Sequence, residues 1–88
     1  MSWAVPEALY AASWLDLKRA GVDALEGGAR EIDLHAWSDA SSAHLAVLLV
    51  WWSHAQSLGM DVSFHGLNQQ FQTLAKLGGV SFIAKESH

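Results

Sequence analysis

The residues of this chain best able to do chemistry cluster in "HAWSDASSAH", where Asp39, Ser41, Ser42 and His44 fall within six positions. A serine, a histidine and an aspartate are the parts of a nucleophilic triad. A hydrolase would also need a strained elbow of the G-x-S-x-G kind to expose its nucleophile, and the chain has none. Two more histidines, His35 and His65, each follow a short apolar alternation. If those segments are parallel strands, the two imidazoles lie on one side of a sheet, and a metal there needs a third ligand such as Asp39. No HExxH or comparable spacing exists, so we expect no metal and no cofactor. "EGGAR" precedes a strand, the wrong setting for a phosphate loop. The sequence points away from catalysis and toward binding.

The elements that must position these residues follow from periodicity. Pro6 suits a first helical turn, and Tyr10, Trp14, Leu17, Gly21 and Leu25 then recur at helical spacing up to Gly27-Gly28. "REIDLHAW" alternates, with Ile32 and Leu34 on one side, and predicts a strand. A helix runs from about Ser42 to Leu58, with Ser41 as its N-cap and Gly59 closing it. "MDVSFHG" predicts a second strand, Asn68 caps a third helix, and "VSFIA" offers a last strand. Helix and strand in alternation imply parallel strands joined by helical crossovers, an α/β layer fold.

The middle helix carries more apolar surface than one interface needs. Leu45, Leu48, Leu49 and Trp52 form the stripe expected to face the sheet, and Val47, Val50, Trp51 and Leu58 lie off it. Its second apolar side is covered either by neighbouring helices or by a partner protein. Trp37, in the turn ahead of this helix, is expected near the functional surface, because strand-to-helix loops carry sites in α/β folds.

Composition narrows the classes further. A chain of 88 residues supports one domain, here residues 1–88, and without cysteine it has no disulfide framework. A formal charge of −4 with five scattered basic residues argues against nucleic-acid binding. The run from Leu45 to Trp52 is far shorter than the ~20 apolar residues of a membrane span. "MSWAVPEALY" does not read as a signal peptide, so the expected location is cytoplasmic.

The strand "EIDLHAW", a short polar turn with Ser41-Ser42 three residues before Leu45, and an apolar helix together resemble the STAS domain. The segment "GMDVSFHGLNQQFQTLAKLGGV" is similar to the STAS subunit of the Mla phospholipid-transport system (MlaB-like), with its G-[VL]-N turn and its "TLAKL" helix. The similarity runs from Ala8 to about Val80. It implies a small sheet with helices packed against it and a non-enzymatic role as accessory subunit. The partner would be the ATPase of an inner-membrane ABC transporter that maintains outer-membrane lipid asymmetry. The chain would then be peripheral to that membrane through its partner.

The family's functional Ser/Thr, phosphorylated in the branch of anti-sigma-factor antagonists (the alternative reading), matches Ser42, which the resemblance thereby makes a candidate phosphorylation site. Ser41 stands where that family usually has an acidic residue, and Ala43 and His44 where it favours glycine. Those departures weigh against kinase recognition more than against binding. The expected partner-binding residues are Ser42, Ser41, His44, Trp37, Val47 and Trp51. The family's opening pair of strands has no room before the first helix. The sheet is therefore expected to lack about two strands and to leave an edge open to a homodimer.

Overall fold

The structure, a computed structural model, describes residues 2–39 and 41–80. Three short parallel strands form a sheet in the order β1-β2-β3: β1 (Ser2–Ala4), β2 (Glu31–Asp33) and β3 (Ser63–His65). Three α-helices accompany them: α1 (Trp14–Glu26), α2 (Ser42–Ser57) and α3 (Gln69–Leu77), with a 3₁₀ turn over Glu7–Ala11. The parallel α/β layering anticipated from the alternation is present. The sequential strand order moves one way across the sheet, so right-handed crossovers put α1 and α2 on the same face. α2 lies between α1 and α3 in that layer.

Register explains which side chains form the core. Trp3, Ile32 and Phe64 stand side by side across the strands, and Trp3 packs edge-on against Trp51 of α2 at 5.6 Å. The alternate positions Glu31, Asp33, Ser63 and His65 are exposed or half-buried. The core joins Val5, Ile32, Leu34 and Phe64 from the sheet side to Leu17, Leu25, Leu48, Trp51, Ala55 and Phe71 from the helices.

Four expectations are corrected. The chain does have a strand ahead of the first helix: β1 pairs with β2 through Ser2, Trp3 and Ala4. Three residues were enough for a parallel ladder, where a hairpin would have needed more. Pro6 does not open α1. It precedes the 3₁₀ turn, and the chain straightens at Ala12-Ser13 before Ser13 caps α1 by accepting from Asp16 N at 3.2 Å. Trp14 consequently sits outside the buried stripe and is 50% exposed.

On α2 the deeply buried residues are Leu45, Val47, Leu48, Trp51 and Ala55. Leu49 and Trp52, expected against the sheet, are only partly buried at the edge of the core. With α1 and α3 on either side, neighbouring elements cover the Val47 and Trp51 part of the apolar arc, while Val50 is half-buried and Leu58 is exposed. The last strand expected from "VSFIA" lies, from Ser81 on, outside the described residues.

Gly21 is held by contact. A Cβ there would lie 2.0 Å from the Trp51 indole, so the side-chain-free position is what lets α1 and α2 approach.

Candidate functional site

The C-terminal ends of the strands and the start of α2 bring the candidate residues together. Ser41 is the N-cap of α2, in extended backbone, and its Oγ accepts from His44 N at 3.1 Å. The His44 ring returns the contact. Its Nε2 lies 2.7 Å from the Tyr10 carbonyl oxygen, which only accepts, so Nε2 carries the proton. In the neutral ring Nδ1 is then an acceptor, and the Ser41 hydroxyl donates to it at 2.6 Å. His44 here takes the position that Glu or Gln holds in a capping box.

The imidazole is clamped on its faces as well. It stacks on Tyr10, with centroids 3.8 Å apart and planes 6° apart, and meets Trp37 edge-on at 5.3 Å. Tyr10 and Trp37 are themselves edge-to-face at 5.5 Å. Trp37 is further fixed by Asn68, whose Nδ2 donates to the Trp37 carbonyl at 3.2 Å while its Oδ1 caps α3 through Phe71 N at 2.9 Å. One asparagine therefore ties the loop before α2 to the start of α3.

Ser42 and Ala43 are exposed on this platform, as the first two residues of α2. Beside them runs a small groove of about 120 Å³, lined by Ala12, Trp14, Leu17, Ala43, His44 and Val47. Accessible surface at the site thus comes from Ser42, Ala43, part of His44 and Trp14.

Three of the expected contact residues do not reach this surface. Trp37 and Val47 are 1% exposed and Trp51 is fully buried. They pack from below: α2 turns Val47 and Trp51 inward, and Trp37, in the loop before α2, packs against Tyr10, His44, Trp51 and Phe71. Tyr10 is the residue that sequence reasoning missed: it touches His44 across 34 positions through its ring and its carbonyl. Its place in the apolar series of the first helical segment was the one available signal.

The histidines at the strand ends are apart from this cluster. Asp33 Oδ1 accepts from His35 N at 2.9 Å and pairs with His35 Nδ1 at 2.6 Å. The backbone bond from His35 foremost, and then its ring, hold the Asp33 carboxyl below its ordinary value of 3.8. His65 pairs with Glu31 at 3.6 Å. Among the described residues no group of three His, Cys, Asp or Glu side chains is placed to hold a metal ion.

Gly66, at a positive φ of 75°, lets the chain turn beside His35, where a Cβ would come within 2.6 Å of Nδ1. No helix among the described residues is long and apolar enough to cross a membrane. Comparison with protein-family models, with curated proteins and with solved structures found no match to this chain.

Proposed function

We propose that this chain is a STAS-like, non-catalytic accessory subunit that binds the ATPase of a phospholipid-transporting ABC system. The docking surface is the start of α2, with Ser42 at its centre and Ala43, His44 and Ser41 around it. The supporting observation is that Ser42 is exposed on a helix start made rigid by the Ser41–His44–Tyr10 hydrogen bonds and the Trp37 contact. A preorganised patch loses little freedom on binding, which favours recognition of one partner conformation.

Binding one state of the ATPase better than another shifts the ATPase toward that state, and this is the whole of the mechanism. The chain would thereby work in the cytoplasm, held at the inner membrane by its partner. Capture of the tagged chain from its native lysate, with bound proteins identified by mass spectrometry, tests the reading. An ABC ATPase is expected in the bound fraction. A serine kinase or anti-sigma factor in its place would contradict it.

A phosphorylation switch is the second reading, and the position of Ser42 favours it. The residue is exposed in the first turn of a sixteen-residue helix, where unpaired N–H groups and the helix dipole accommodate a phosphate. In that reading the chain is an anti-sigma-factor antagonist.

A further inference from the structure

The outer side of α1 bears its charges in an order that suits an antiparallel copy of itself. Leu17, Gly21 and Leu25 are the buried side of this helix. Leu15, Lys18, Arg19 and Val22 line a shallow groove on another side, and Glu26, four residues beyond Val22, extends the same row. Leu15 is 54% exposed, and Lys18, Arg19, Asp23 and Glu26 are all exposed. Asp16 stands in the first turn ahead of both bases, and beyond it Lys18 and Arg19 precede Asp23 and Glu26.

Within one helix this is the poorer order. An acid placed four residues before a base is the better pair, and the helix dipole favours acids at the start and bases at the end. The last turn of α1 has no basic residue. Among the described residues every ion pair involves a histidine, so Lys18, Arg19 and Asp23 pair with no opposite charge among those residues. Glu26 shares one oxygen with His54 at 3.2 Å.

A two-fold axis beside Val22 changes the balance. It sets Lys18, four residues before the axis, opposite Glu26 of a second copy, four residues after it, and brings Arg19 to the same acidic end. Val22 meets its own counterpart, and Leu15 approaches the Gly27-Gly28 turn of the copy, where the space beside Gly28 is open. A surface that is its own complement under a two-fold is the requirement for an isologous dimer. We propose that α1 is such a self-association surface, with a second copy of this chain as its occupant, independently of any docking at α2. One helix pair buries little area, so the dimer is weak and strengthens at low salt.

Sedimentation equilibrium of the full chain in low salt tests this by charge exchange. The wild type is expected to dimerise, with an association at least tenfold weaker in both K18E/R19E and D23K/E26K. An equimolar mixture of the two variants is expected to recover the dimer, since every facing pair is then opposite in charge. Far-UV circular dichroism establishes that each variant is folded, and recovery in the mixture itself requires folded partners. A wild type that stays monomeric at millimolar concentration overturns the proposal. So does a dimer indifferent to the reversals, which would direct attention to another surface of the molecule.

Discussion

The indole of Trp51 occupies the space that a side chain at Gly21 would need. A Cβ at residue 21 would lie 2.0–2.4 Å from three indole ring atoms. The ring has little room to yield, being fully buried and donating through Nε1 to the Lys18 carbonyl at 3.2 Å. Gly21→Ala gains about 1 kcal/mol of helix propensity and meets an overpacking cost of about 1–3 kcal/mol. We expect the clash to win. Thermal unfolding should show a Tm lower by several degrees, and an unchanged or raised Tm would refute the contact.

Ser41 and His44 should behave as one unit. Ser41→Ala removes the cap and is expected to cost about 1 kcal/mol. His44→Ala loses the Tyr10 stack and carbonyl bond as well, at about 1–3 kcal/mol. In urea titrations the double variant should lose clearly less than the sum of the singles, because the 2.6 Å bond between them is removed by either. Strict additivity would mean that the two residues act separately.

Asp33 sets a pH dependence of definite sign. Its folded-state value is depressed, chiefly by the backbone N–H of His35. The stability it contributes is therefore fully present above the ordinary value of 3.8 and is lost as pH falls through the lower folded value. Asp33→Asn should be less stable than wild type at neutral pH, and the two should converge as pH falls below the depressed folded-state value. Denaturant midpoints across that range provide the check, and a gap that persists in acid would contradict the pairing.

Asn68 links two elements, so its loss should exceed that of an ordinary cap. Asn68→Ala removes the α3 cap and the bond to the Trp37 carbonyl together, an expected cost of about 1.5–2.5 kcal/mol. Asn68→Asp keeps the acceptor for Phe71 N and loses only the donor to Trp37, and should fall between. Equal stability of Asn68→Asp and Asn68→Ala in urea titrations would show that the cap contributes nothing.

Much of the layering was legible before the structure, and particular residues show why the rest was not. Ile32 and Leu34 alternate with charged neighbours, and Ser41 and Asn68 precede apolar helices, so β2, α2 and α3 were announced locally. β1 was not, because three residues with Trp3 alone facing inward leave no alternation to read. α2 is apolar almost all round, so spacing alone did not single out Val47 and Trp51 as its deeply buried side. The site itself depends on Tyr10 reaching His44 across the fold. Gly21 reads in the sequence only as one member of the helical series of α1, and it is the close approach of Trp51 that requires it.

We propose that the start of α2 around Ser42 docks an ABC ATPase. The most direct measurement compares capture of that ATPase from native lysate by wild type, Ser42→Ala and Ser42→Glu. All three should be folded, since residue 42 is exposed and an acid is welcome in a first helical turn. Recovery is expected with wild type and Ser42→Ala and loss with Ser42→Glu, where a new charge enters the proposed docking surface. Equal recovery by all three would move the contact elsewhere on the molecule, and capture of no ATPase by wild type would contradict the assignment outright.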